Sequence, residues 1–276
     1  MKKVIFLIFL WLGFANGVEN TAIIEADNKG DYKRLFELSK KACDKNNVLG
    51  CAKLAALYSA GIYVKQDYKK AVKYRTKACD GGDMLSCGSL GALYWQGNGV
   101  KKDLHKAVKL LERSCVWAIG ANIDKKITDS NGLFSCIALG YILRDSSVDF
   151  GVLFAELFND DLYKHAQEST TQMRNLNVAY AVYGVLCDTL NYAEGCVQYG
   201  TLKFRENNLK SAFEYYNKAM NKGSAGGYYM IGSFFRYGSN ITPIDYKKAK
   251  ELFSISCNMG YKLGCDELAK LKQEGF

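Results

Sequence analysis

Three thirteen-residue stretches recur at a fixed interval of 36 residues: DYKRLFELSKKAC at 31–43, DYKKAVKYRTKAC at 67–79 and DLHKAVKLLERSC at 103–115. Looser copies occupy 175–187, 208–220 and 245–257. A period in the thirties marks a helix-turn-helix array, because a single helix pair cannot bury its apolar face without a neighbour. Each copy opens on Asp or Asn, residues that cap helix N-termini. Within a copy, Ala71, Tyr74 and Ala78 fall at helical spacing and form one buried stripe. A second helix follows: Cys87, Leu90, Gly91 and Tyr94 sit at i, i+3, i+4 and i+7. Gly91 and Gly200 lie in mid-helix, where glycine costs about 1 kcal/mol relative to alanine, so a neighbouring helix should approach closely there. One proline in 276 residues agrees with long helices and short connections. The expected fold is all-α, a right-handed α-solenoid of disulfide-stapled helix-turn-helix repeats with one continuous core.

The ten cysteines allow many pairings, but their spacing narrows them. Cys43/Cys51, Cys79/Cys87 and Cys257/Cys265 are eight apart, and Cys187/Cys196 nine. Eight residues of continuous helix span about 12 Å, whereas a disulfide needs Cα atoms within about 7 Å. The chain must therefore reverse between the two cysteines, and Asp80-Gly81-Gly82-Asp83 is a turn cluster. Cys115 and Cys136 are 21 apart and would be bridged across an enlarged loop. The copy at 208–244 carries Met220 and Tyr228 at these positions and should rely on packing alone. Metal binding would need closer ligand pairs or more histidines than His105 and His165. No metal and no cofactor is expected.

At the N-terminus, Lys2 and Lys3 precede an apolar run from Val4 to Phe14, and Ala15-Asn16-Gly17 places small residues around a cleavage point. This order reads as a signal peptide over 1–17, too short to span a bilayer. The chain is then exported, periplasmic or secreted, where disulfides persist. Loss of Lys2 and Lys3 takes the formal charge from +9 to +7. The remaining cations are interleaved with Asp and Glu, which argues against a nucleic-acid partner. The array over 18–276 divides into units near 31–66, 67–102, 103–145 with the enlarged loop, 175–207, 208–244 and 245–276. Residues 146–174 are irregular or a degenerate repeat. Residues 18–30 read as a short capping helix, and DELAKLKQEGF at the end has a polar face suited to the same task.

The run Ala71, Tyr74, Lys77, Ala78, followed by Leu90-Gly91, Tyr94, Gly97 and Gly99-Val100, resembles the Sel-1-like repeat, a relative of the tetratricopeptide repeat. The resemblance covers most of 31–115 and 175–265. The paired cysteines are similar to those of the Helicobacter cysteine-rich proteins. That resemblance implies an exported solenoid with one disulfide per helix pair, and it also carries a β-lactamase or penicillin-binding label. The sequence has no S-x-x-K, no K-T-G and no H-x-H, so the label has no motif beneath it. His105 and His165 read as solvent-facing helix residues, and no catalytic residue is assigned.

By analogy with tetratricopeptide arrays, one face of the second helices should line a concave groove. Carried over unit by unit, that face holds Ser59, then Trp95 and Gln96, Tyr141 and Arg144, Phe204 and Arg205, and Arg236 and Tyr237. Aromatic and arginine side chains dominate binding hot spots. The expected function is a monomeric scaffold that binds a protein, a peptide or a peptidoglycan-like ligand, with β-lactam binding or weak hydrolysis as the alternative.

Overall fold

The computed structural model describes residues 18–123, 133–145 and 171–276. The signal-like segment 1–17, most of the enlarged loop between Cys115 and Cys136, and residues 146–170 with His165 lie outside the described residues. The described residues form helices and turns and no strand. Residues 18–28 form α1. Then come α2 (Tyr32–Asp44), α3 (Val48–Ala60), α4 (Tyr68–Asp80), α5 (Met84–Gln96), α6 (Leu104–Ile123) and α7 (Phe134–Asp145). After 146–170 follow α8 (Thr171–Gly184), extended by a π-helical turn Val185–Thr189, and α9 (Ala193–Arg205), α10 (Leu209–Asn221), α11 (Ala225–Tyr237), α12 (Tyr246–Asn258) and α13 (Lys262–Gln273). The chain divides into two compact units, with the division inside α6 between Ala118 and Ile119. No described helix is long and apolar enough to cross a membrane.

The helices begin where their caps put them. Asp31, Asp67, Asp103, Asn208 and Asp245 each accept a hydrogen bond from the backbone N–H three residues on, at 2.9–3.2 Å. This satisfies one of the donors that a helix start leaves without a partner. The copy at 175–187 departs from the pattern. Asn175 is not a cap; it is buried inside α8, which starts at Thr171. Nothing in Thr171–Arg174 stops a helix, so the helix propagates through Asn175.

Four cysteine pairs form bridges, Cys43–Cys51, Cys79–Cys87, Cys187–Cys196 and Cys257–Cys265, with Cα atoms 4.5–4.7 Å apart. Cys115 and Cys136 are disulfide-bonded as well, and no described cysteine is free. Each of these four bridges joins the last turn of one helix to the first turn of the next. The longer Cys187–Cys196 interval has a local cause. Its extra residue is taken up in the π-helical turn Val185–Thr189, so the Cα separation stays at 4.6 Å. A single-residue insertion into a helix is absorbed in this way.

At the four bridges with described geometry two helix backbones come together, and the residue before the second cysteine is accordingly small: Gly50, Ser86, Gly195 and Gly264. In the hairpin without cysteines the same site is Gly227, where a Cβ would lie 2.5 Å from Met220 N. Four residues beyond the second bridge position, in α5, α7, α9 and α11, stands a glycine that receives a large side chain from the next described helix. Leu111 lies over Gly91, Tyr183 over Gly140, Tyr216 over Gly200 and Phe253 over Gly232. All four large side chains are fully buried. The helix-propensity cost of these glycines is offset by large side chains that pack directly on backbone.

Both ends are closed. Ile23 and Ala26 of α1 are buried against Leu35, Ala42 and Leu57. At the other end Leu271 of α13 packs with Ala249 and Phe253. The inner side of this polar helix is mixed: Leu271 is buried, and the charged Glu267 is buried as well.

Candidate functional site

In the second unit, α9, α10 and α11 enclose an open cavity of about 510 Å³. Its floor is aromatic. Phe234, 6% exposed, meets Phe213 at 5.2 Å and Tyr216 at 6.1 Å between ring centroids. Phe204 of α9 stands edge-on to Phe234 at 6.1 Å and forms one rim. Met230, Ser233 and Tyr237 of α11 form the other, with Leu209 of α10 at the side. Phe204 is 48% exposed and Tyr237 63%. Apolar walls with a few polar groups at the edge are what a site for an apolar side chain requires.

Tyr237 is held by a buried charge group. Its hydroxyl donates to Glu267 Oε2 at 3.0 Å. The same carboxylate oxygen lies 3.0 Å from Arg236 Nε, off the N–H axis, as an ion-pair contact. Arg236 Nη2 donates to Glu274 at 2.8 Å, and Lys270 donates to Glu267 at 2.7 Å. Burial raises the Glu267 carboxyl pKa. Hydrogen bonds from Lys270 and Tyr237 and the charges of Lys270 and Arg236 outweigh that, and the net shift is downward. Arg236 was expected on the groove surface. It is 7% exposed and turned into the protein, because two carboxylates from α13 and its end draw it there. Arg236→Ala is expected to cost about 2 kcal/mol in a urea unfolding series; a broken buried pair costs more, but Lys270 still neutralises Glu267. An unchanged midpoint would remove the ion pair from the stability account.

The other expected residues are dispersed. Trp95 is half-buried on α5 of the first unit, and Gln96 beside it is exposed, accepting from Asn98 at 2.7 Å. Tyr141 is half-buried, with the Arg144 guanidinium 4.7 Å above its ring. Arg205 is exposed next to Phe204. Of the nine residues on the expected face, Ser59 included, Phe204 and Tyr237 line this cavity. Sequence reasoning missed Met230 and Ser233 of α11, because helical spacing alone does not separate a cavity rim from a packed face. It also missed Glu194 on the first turn of α9, whose only signal is a carboxylate in an apolar stretch.

A family model described as the Sel1 repeat matches residues 48–83, 86–115, 190–224 and 225–261, together half of the chain. No curated protein matches the sequence. Among solved structures, a Sel1 repeat protein from Oxalobacter formigenes is similar with a TM-score of 0.62 at 21% identity, covering 91% of this chain and 89% of that one. A protective antigen of uropathogenic Escherichia coli displaying an SLR fold matches at a TM-score of 0.36 and 17% identity, over 87% of this chain and 60% of that one. An immunity protein from Pseudomonas aeruginosa matches at 0.37 and 17%, over 79% and 83%. The capped helix pairs, the glycines under large side chains and the family match agree: the chain belongs to the Sel1 repeat family.

Proposed function

We propose that this Sel1 repeat scaffold is an exported interaction protein that holds an extended segment of a partner protein or peptide, with an apolar side chain of that segment seated between α9 and α11. The observation that carries this reading is the open cavity of about 510 Å³ flanked by two exposed aromatic rings, Phe204 and Tyr237. Large exposed apolar side chains beside a cavity mark contact sites. The bridged cysteine pairs support an oxidising location, and the signal-like segment 1–17 supports export.

Selection of a randomised peptide library on the oxidised protein tests this. Selected peptides are expected to share one apolar residue and to bind Phe204→Ala about tenfold more weakly than wild type, while circular dichroism melts of the two coincide. Equal binding by Phe204→Ala and Tyr237→Ala variants would move the function elsewhere. β-Lactam recognition rests on the family resemblance alone. Nitrocefin turnover abolished by one substitution in this chain would displace the scaffold reading.

A further inference from the structure

A second groove lies on the last hairpin, between α12 and α13, and shares no lining residue with the cavity of α9 to α11. It is open and holds about 610 Å³. Its apolar floor is Ile255, 40% exposed, with the half-buried Leu268. Lys247, Lys250 and Lys272 stand around it, against one carboxylate, Glu251. The side chains of Lys247 and Lys272 are exposed and form no ion pair or hydrogen bond with a described residue. Other lysines of this unit find acids: Lys203 with Glu206, Lys218 with Asp188 and Lys270 with Glu267. Lys250 is half-buried, and its ammonium donates to the Phe276 backbone oxygen at 2.7 Å. That bond holds it at the groove and leaves two of its donors to spare.

The position two residues before the first bridge site sets this hairpin apart. Lys41, Lys77 and Arg113 stand there in the first three copies, and Lys218 in the hairpin without cysteines, all exposed. Val185 takes the place in the copy at 175–187 and is half-buried in the π-helical turn. Ile255 is the one exposed apolar residue in the series. An exposed apolar side chain on the floor of a groove marks a contact site. Floor and cations are also graded along the hairpin. Ile255 lies two residues before the Cys257–Cys265 bridge and Leu268 three after it, whereas Lys247 lies ten before and Lys272 seven after. The helix rise places Lys250 and Lys272 about 6–8 Å from the floor along the axes, and Lys247 about 12 Å. In an extended segment, side chains two residues apart share a face and are about 6–7 Å apart. An apolar side chain on Ile255 and Leu268 therefore brings the residues two and four positions along to these cations. A flat anionic surface fits less well, because the floor lies between two helices and Glu251 would face the same negative charge.

We propose that the α12–α13 groove binds an extended acidic segment of a partner protein, with an apolar residue on Ile255 and Leu268 and carboxylates two and four positions along, held by Lys250, Lys272 and Lys247. This site is independent of the α9–α11 cavity and selects its ligand by charge.

Labelled serine peptides carrying one leucine and glutamates two and four positions from it, in both chain directions, are compared by fluorescence anisotropy with glutamine analogues, at about 0.15 M salt to screen unspecific attraction. Oxidised wild type is expected to bind the better glutamate peptide about tenfold more tightly than its glutamine analogue. The double variant Lys247→Glu, Lys272→Glu should remove that preference, and both side chains are exposed, so its circular dichroism melt should match wild type. Ile255→Gln should weaken the leucine peptide about fivefold and leave a peptide with serine for leucine unchanged. Phe204→Ala should bind all of these peptides as wild type does. Equal binding of glutamate and glutamine peptides by wild type, a preference that survives the double reversal, or loss of binding in Phe204→Ala overturns the acidic-segment site. Failure of both glutamate peptides to bind overturns it too, and sedimentation with phosphatidylglycerol vesicles, lost in the double reversal, would then assign the lysines to a membrane surface. Should Ile255→Gln melt early, the leucine–serine peptide comparison on wild type decides the role of the floor.

Discussion

Excess phosphine reductant is expected to lower the melting temperature of the oxidised protein by about 20 °C or more. The loop closed by each short bridge holds nine or ten residues, which in the chain-entropy model is worth about 2.5 kcal/mol. The four bridges whose geometry is described therefore contribute about 10 kcal/mol together, the size of the whole unfolding free energy of an ordinary domain, about 5–15 kcal/mol. Cys43, Cys51, Cys187 and Cys196 are also almost fully buried. Reduction thus leaves sulfur atoms in the core but removes the constraint on the unfolded chain. Far-ultraviolet circular dichroism during heating, with and without reductant, reads the effect. Coincident melts would show that apolar packing alone carries the stability.

Gly227→Ala is expected to cost about 3 kcal/mol, a melting shift of about 6–10 °C. The added Cβ would meet Met220 N at 2.5 Å, Ala219 C at 2.8 Å and Met220 Cα at 2.9 Å. These are backbone atoms of α10 and cannot rotate aside as a side chain could. The hairpin must open instead, in the one described helix pair that has no cysteine to hold it. Gly120 supplies the contrast. It lies on α6 with no heavy atom of the described residues within 4 Å of its Cβ position, so Gly120→Ala should stabilise by up to about 1 kcal/mol. A small effect at Gly227 would mean that α10 and α11 can separate freely, and the cavity they line would then lack fixed walls.

The repeat was legible in the sequence because its signals are local. An Asp three residues before a backbone N–H, a cysteine pair eight apart and a turn between them act within one hairpin, and Asp67, Cys79 and Cys87 stand where those rules put them. Mid-helix glycines pointed to a close helix approach for the same reason, and Tyr216 on Gly200 shows it. Where a local signal had a competitor the reading failed: Asn175 looked like a cap, but the residues before it are free to be helical. The site depended on contacts between segments far apart in the chain. Phe204 and Tyr237 became two walls of one cavity through the packing of α9 against α11, which one-dimensional spacing does not encode. Arg236 shared with Tyr237 the helical phase that suggested a groove face. Yet Glu267 and Glu274, 31 and 38 residues on, turned its guanidinium inward, since a buried carboxylate such as Glu267 must find a positive partner. Glu194 shows the reverse. Sequence reasoning passed over it, and only the tertiary structure revealed that no described cation pairs with it, because a missing partner is a property of the whole surroundings.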